Sequence, residues 1–111
     1  MDAQGGDDLI DASGQSGNFR GNGSAGDDVL IGSNQRDILK GGTDNDYLLG
    51  NDGVDKLFGE QGSDVLDGGN DRDYLYGGPD ADYFVLDGVA VGTDRIVDFT
   101  ESEDRFNSER V

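Results

Sequence analysis

The sequence contains no cysteine, no histidine and no tryptophan, and it has a single proline and a single methionine. Without cysteine the chain can form no disulfide bond, and without cysteine or histidine it lacks the usual ligands of zinc and copper. Basic residues are also few, because eight Lys and Arg stand against 25 Asp and Glu, for a net charge of −17. A polyanion of this kind is a poor partner for nucleic acid or an anionic membrane, and we expect it to bind cations.

Long apolar runs are absent as well. No stretch approaches the length of a transmembrane helix, and the acidic N-terminus MDAQGGDDLI lacks the apolar core of a signal peptide. Low hydrophobicity combined with high net charge is typical of a disordered chain. We therefore expect charge repulsion to keep the metal-free chain unfolded and bound cations to fold it.

The dominant feature that is present is a repeat of nine residues. Seven consecutive nonapeptides run from Gly23 to Val85, and a short fixed period of this kind is typical of a solenoid. Each nonapeptide has glycine first, aspartate sixth and a large apolar residue eighth. The first residues are Gly23, Gly32, Gly41, Gly50, Gly59, Gly68 and Gly77. The sixth are Asp28, Asp37, Asp46, Asp55, Asp64, Asp73 and Asp82. The eighth are Leu30, Leu39, Leu48, Leu57, Leu66, Leu75 and Phe84.

Each nonapeptide divides into a turn and a short strand. Its first six positions are rich in Gly, Asn, Asp and Ser, which favour turns, and its last three alternate so that only the eighth side chain points inward. Two nonapeptides then make one coil, and the sixth-position aspartates fall alternately on two opposite edges. Successive carboxylates on one edge would lie about 4.8 Å apart and repel one another unless a cation separates them. Ca²⁺ suits this arrangement better than Mg²⁺, because it accepts six to eight oxygen ligands in flexible geometry.

The repeat becomes irregular at both ends of the array. Residues 3–11 form one degenerate repeat, but Asp8 and Asp28 are 20 residues apart instead of 18, which predicts a two-residue insertion in an irregular half-turn. The alternating sequence from Asp94 to Phe99 predicts a strand followed by an acidic turn. We divide the single structural domain into irregular N-terminal repeats (1–22), a regular array (23–85) and a C-terminal cap (86–111).

The nonapeptides GGTDNDYLL, GNDGVDKLF, GEQGSDVLD and GGNDRDYLY resemble the RTX calcium-binding repeat, G-G-x-G-x-D-x-U-x, in which U is a large apolar residue. The resemblance extends over residues 3–106, and the segment GTDRIVDFTESEDRF is similar to segments that follow RTX arrays in secreted proteases and alginate epimerases. It implies an all-β fold, a right-handed parallel β-roll with Ca²⁺ between turns on the same edge.

The resemblance also implies a ligand set for each ion. One turn gives its first and third carbonyls and its aspartate, and the next turn on that edge gives its second and fourth carbonyls and its aspartate. Five such sites fit the array, between Asp pairs 28/46, 46/64, 64/82, 37/55 and 55/73. The first- and third-position carbonyls would come from Gly23, Ala25, Gly32, Asn34, Gly41, Thr43, Gly50, Asp52, Gly59 and Gln61. The second- and fourth-position carbonyls would come from Gly42, Asp44, Asn51, Gly53, Glu60, Gly62, Gly69, Asp71, Gly78 and Asp80. Weaker candidates at the ends are Asp8, Asp94 and Asp98.

Several positions depart from the family pattern. The fourth position is glycine in the family, but here it is Gln35 in one repeat and aspartate in three others. Aspartate tolerates left-handed backbone geometry better than glutamine, so the turn containing Gln35 is the most doubtful. Glu60 replaces a second-position glycine and must point its side chain to solvent. Pro79 fixes φ, although its carbonyl can still bind metal.

The sequence favours a calcium-dependent folding module of a larger extracellular bacterial protein, and the resemblance implies export by a type I secretion system. The alternative is an accessory module that binds an acidic, alginate-like polysaccharide, for which the basic residues Arg36, Lys40, Lys56 and Arg72 are too sparse on their own. The outward aromatic residues could bind a ligand, but we expect them instead to cover neighbouring strands; they are Tyr47, Phe58, Tyr74, Tyr76 and Tyr83. We expect no catalytic activity, because each carboxylate of the array already has a periodic role and no nucleophile motif accompanies them.

Overall fold

The computed structural model describes residues 5–69, 71–86, 95–96 and 105–108 of the chain. Within these ranges the secondary structure is entirely β. The strands are β1 (Leu9–Asp11), β2 (Arg20–Asn22), β3 (Val29–Ile31), β4 (Ile38–Gly42), β5 (Tyr47–Leu49), β6 (Lys56–Glu60), β7 (Val65–Asp67), β8 (Tyr74–Tyr76), β9 (Tyr83–Leu86), β10 (Arg95–Ile96) and β11 (Arg105–Ser108). No segment described here is a helix capable of crossing a membrane.

The strands alternate between two parallel sheets. One sheet has six strands in the order β1-β3-β5-β7-β9-β11, and the other has five in the order β10-β8-β6-β4-β2. In the array, paired residues are two nonapeptides apart, as in Leu30 with Leu48 and Leu39 with Leu57. Two nonapeptides therefore make one coil, and the predicted all-β parallel solenoid is confirmed.

The core is a single file of apolar side chains between the two sheets. Every eighth-position residue is fully buried, whereas the seventh-position Tyr47 and Tyr83 are 37% and 40% exposed. Burying one leucine side chain stabilises the fold by about 1.5–3 kcal/mol. The core is thus one residue deep per strand, and the turns that surround it contain mainly polar residues and glycine.

At the N-terminal end, the core is completed by Phe19, which precedes β2, and not by a side chain of β2 itself. By register with β4, Phe19 stands where aspartate is found in the other repeats and Gly21 stands where leucine is found. A Cβ on Gly21 would lie only 2.8 Å from the Phe19 ring, and Phe19 is 9% exposed. The ring therefore occupies the space that a leucine at position 21 would need, and it closes the core.

The predicted insertion lies just before this point. Leu9 pairs with Val29, which is 20 residues away, whereas Arg20 pairs with Ile38, which is 18 residues away. The two extra residues consequently fall between β1 and β2, as the sequence indicates.

At the C-terminal end, both sheets are extended by strands from outside the regular array. β10 pairs with β8 through Arg95 and Tyr74, and β11 pairs with β9 through Phe106 and Phe84. Each sheet of the array is thus covered at this end by a parallel strand. The remainder of the strand expected over residues 94–99 lies outside the described residues.

Candidate metal sites

The sixth-position aspartates form two buried columns, one along each edge of the solenoid. The first aspartate column precedes the six-stranded sheet and contains Asp8, Asp28, Asp46, Asp64 and Asp82. The second aspartate column precedes the five-stranded sheet and contains Asp37, Asp55 and Asp73. All of them except Asp8, which is partly exposed, have at most 3% of their surface exposed.

One carboxylate oxygen of each column aspartate except Asp8 joins two neighbouring coils. The backbone N–H of Asp46 donates to Oδ1 of Asp64 at 2.8 Å, and the N–H of Asp55 donates to Oδ1 of Asp73 at 2.8 Å. The same bond recurs along both columns, down to Asp8 N–H with Asp28 and Phe19 N–H with Asp37. Each Oδ1 thus satisfies a buried backbone donor that would otherwise lack a partner.

The second carboxylate oxygen of each column residue is buried without a hydrogen-bond donor. The buried, unbonded Oδ2 atoms belong to Asp8, Asp28, Asp37, Asp46, Asp55, Asp64, Asp73 and Asp82. A buried ionised oxygen without a partner costs several kcal/mol, so a regular row of them is unfavourable unless cations bind there.

Glycine at the first position of each repeat leaves open the space beside this oxygen. A Cβ on Gly59 would lie 2.5 Å from Asp64 Oδ2 and 2.9 Å from the Gly77 carbonyl oxygen, and Gly23 has the same surroundings in its own turn. Two acceptor oxygens therefore flank a space that any side chain would fill. This arrangement fits a hard, oxygen-binding cation such as Ca²⁺.

Burial perturbs the acidity of the column residues. Desolvation raises the pKa of Asp46 to about 7, of Asp64 to about 8 and of Asp55 to about 9, while hydrogen bonds from backbone N–H groups act in the opposite direction. Neighbouring carboxylates of the same column add to the increase, and the pKa of Asp28 is raised by the same causes. Without a cation, the charged form of these side chains is strongly disfavoured.

The turns of the array share one backbone conformation, with the exception of the turn of residues 32–37. Their second and fourth residues have positive φ, which glycine adopts freely and Asn or Asp with modest strain. Glu60 also does so, with φ of 70° and an exposed side chain, as its place in the turn requires.

Aspartate in the fourth position has a role that sequence reasoning missed. Asp44, Asp71 and Asp80 all have positive φ, and each accepts a hydrogen bond through Oδ2 from a backbone N–H one coil earlier. The donors are Gly26, Gly53 and Gly62, at 3.0, 2.8 and 3.1 Å. These departures from the family glycine therefore add bonds between coils.

The turn of residues 32–37 differs from the others. Ser33 and Gln35, its second and fourth residues, do not have positive φ. Instead, the Ser33 hydroxyl donates to Asp37 Oδ1 at 2.7 Å and accepts from the Gln35 N–H at 3.1 Å. The departure at Gln35 marks this turn in the sequence, but the serine hydroxyl bond could not be foreseen.

The structure brings together the aspartate pairs of all five predicted sites through the N–H to Oδ1 bonds. In the described part of the chain, no three acidic side chains converge on one point. A cation here would consequently need backbone carbonyl oxygens as well as two carboxylates, as in the predicted ligand sets, which remain predictions. Asp8 lies at the start of the first aspartate column, and Asp94 and Asp98 lie outside the described residues.

The family model of the RTX calcium-binding nonapeptide repeat (4 copies) matches residues 22–57 and 49–84, which together are more than half of the chain. The chain therefore belongs to this family of calcium-binding repeats. No curated protein and no solved structure matches it.

Proposed function

We propose that this chain is a calcium-dependent folding module, unfolded at low calcium and converted to the solenoid when Ca²⁺ binds between its turns. The observation that carries this proposal is the double column of buried Oδ2 atoms without hydrogen-bond donors. Calcium ions would satisfy these oxygens and cancel charge, since five ions would reduce the net charge from −17 to about −7.

Ion binding and folding are coupled in this mechanism. Each site takes oxygens from two successive turns, so it exists only when two coils are stacked, and its binding free energy becomes folding free energy. An ion bound between Asp46 and Asp64 also places Asp64 for the next site, with Asp82. Folding should therefore be cooperative in calcium, as expected of a one-dimensional repeat array.

The cellular role that fits this coupling is secretion of a larger bacterial protein. A chain that stays unfolded in a low-calcium cytosol can pass through a type I secretion channel and fold outside, where calcium is abundant. Membership of the RTX family supports an extracellular location. The module itself is structural, since its columns of carboxylates are committed to binding ions and to joining coils.

Circular dichroism of the calcium-depleted chain tests the proposal. Addition of Ca²⁺ should convert a spectrum of unfolded chain into one of β-structure, and a chelator should reverse the change. Mg²⁺ at the same concentration should have little effect, because it dehydrates reluctantly and requires a tight octahedron. A β-rich spectrum that is insensitive to chelator would disprove calcium-dependent folding.

A further inference from the structure

The basic residues of this acidic protein are concentrated on one of its two sheets. Of the eight Lys and Arg residues, six lie on strands of the five-stranded sheet or in the turns that lead into them. They are Arg20, Arg36, Lys40, Lys56, Arg72 and Arg95. The six-stranded sheet has Arg105 alone among its described strands. The few basic residues, which are far apart in the sequence, therefore lie together on one side of the folded chain.

The outer faces of the two sheets also differ in their other side chains. In β2, β4, β6 and β8 the seventh- and ninth-position residues include no carboxylate, whereas the six-stranded sheet has Asp11 and Asp67 in the same rows. Phe58 and Tyr76 stack with ring centroids 4.4 Å apart, and the Lys40 ammonium lies 6.0 Å from the Phe58 ring centre. The five-stranded sheet therefore presents cations together with aromatic rings.

A groove of about 470 Å³ runs across this face. Arg20, Arg36 and Lys56 supply its positive charge, and Ile38, Val54 and Tyr74 supply apolar surface. Asp37 is the one acidic residue found among the lining residues described, and it is fully buried beneath them. Volumes of this size are typical of sites for small ligands or short polymer segments.

The groove follows the axis of the solenoid. Ile38, Lys56 and Tyr74 are paired in register on successive strands, so they stand about 4.8 Å apart in one row. This spacing is close to the length of one pyranose residue in an extended polysaccharide. Within the described residues, neither Arg36 nor Lys56 forms an ion pair with a carboxylate, so both can bind an external anion.

We propose that this groove binds a linear acidic polysaccharide, with uronate carboxylates on Arg36 and Lys56 and sugar rings against Ile38 and Tyr74. A nucleic acid duplex fits less well, because the phosphates of each strand follow one another about every 3.4 Å along the helix axis, which is closer than the spacing of about 4.8 Å in this row. An acidic peptide would find no backbone hydrogen bonds here, because the groove lies on the face of the sheet and not at its edge. This proposal goes beyond calcium-dependent folding and requires only that the folded solenoid be present.

Titration with a mannuronate hexamer, followed by amide chemical shifts of the folded protein in constant excess Ca²⁺, tests the proposal. The hexamer is too short to gel with calcium. Shifts should be confined to β2, β4, β6, β8 and the turn containing Arg36. R36Q and K56Q should each weaken binding about threefold to fivefold, as expected for loss of a solvent-exposed ion pair, and K56R should retain it.

Asn45→Asp is the matched control, because it also changes the net charge by −1 but lies in the turns before the six-stranded sheet. Its Oδ1 accepts a hydrogen bond from the Ser63 N–H, and aspartate preserves that acceptor. N45D should bind as tightly as the unmodified chain, and circular dichroism in Ca²⁺ should confirm that every variant is folded.

Other outcomes would overturn the proposal. Equal weakening of binding by N45D would show that only the net charge of the protein matters. Equal binding of the neutral hexamer cellohexaose would show that Arg36 and Lys56 do not contribute to recognition of the ligand. Equal or tighter binding of a thymidylate hexamer or a hexaglutamate peptide would exclude the polysaccharide as the preferred ligand. If the amide chemical-shift changes of the unmodified protein were centred on the six-stranded sheet, the hexamer would bind outside the groove.

Discussion

Asp64→Asn separates the two roles of a column aspartate. Asn keeps the oxygen that accepts the Asp46 N–H bond at 2.8 Å, but it replaces the unbonded second oxygen by an uncharged amide NH2 group, which cannot bind a cation. Asp64 belongs to two of the five predicted sites. A bound ion stabilises a fold by about 2.7 kcal/mol at one hundred times its Kd, so weakening two sites removes up to about 5 kcal/mol. That is comparable with the whole stability of a small domain, about 5–15 kcal/mol.

The assay for D64N is a calcium titration followed by circular dichroism. We take five ions, each near one hundred times its Kd, to supply the folding free energy of the unmodified chain at its calcium midpoint. In D64N three ions must supply the same free energy, which raises the calcium midpoint about twentyfold. Asp8→Asn affects at most one terminal site and should raise the midpoint only slightly. Asp67→Asn removes the same charge outside the columns and should not raise it. Equal midpoints for D64N and D8N would refute the assignment of Asp64 to two sites.

Three further predictions concern protonation, space and the end of the array. Because the folded pKa values of Asp46 (about 7) and Asp55 (about 9) lie above the unfolded value of 3.8, protonation favours the metal-free fold. Calcium-depleted protein should gain β-structure by circular dichroism below about pH 4 and lose it as pH rises through 7–9; acidification without any gain would contradict this. Gly59→Ala should raise the calcium midpoint, because its Cβ falls 2.5 Å from the buried carboxylate oxygen, whereas Gly14→Ala, which has open space, should not; equal shifts would refute the steric explanation. A chain ending at Val85 should need far more Ca²⁺ to fold, or should aggregate, because it leaves the β8 and β9 edges exposed; an unchanged midpoint with monomeric light scattering would show that the C-terminal cap is dispensable.

Much of the architecture is predictable because the repeat has a strict period. Gly at the first position, Asp at the sixth and Leu at the eighth recur in phase, and each has one structural consequence that can be reasoned from a single repeat. The coil of two nonapeptides, the two aspartate columns and the core file all follow from that period. The insertion near Asp8 is also predictable, because it shifts the register by a countable two residues.

What could not be predicted depends on contacts between particular side chains. The Phe19 ring fills the space beside Gly21, and the nine-residue period does not predict this contact. The sequence shows only that Phe19 and Gly21 stand where the regular repeats have Asp and Leu. The hydrogen bond from the Ser33 hydroxyl to Asp37 occurs in a turn whose second and fourth residues lack the positive φ of the other turns. The basic groove was also missed, since Arg36 and Lys56 are 20 positions apart in the sequence and come close together only after the chain has coiled.

In the proposed mechanism, Ca²⁺ lies between successive turns beside the unbonded aspartate oxygens. A structure from crystals grown in the presence of calcium, with anomalous scattering used to locate the ions, tests this arrangement. We expect two columns of ions, each ion beside an Oδ2 atom such as that of Asp46, Asp55 or Asp64 and bound also by backbone carbonyls. Ions found only on the outer surface, with no density beside these oxygens, would contradict it.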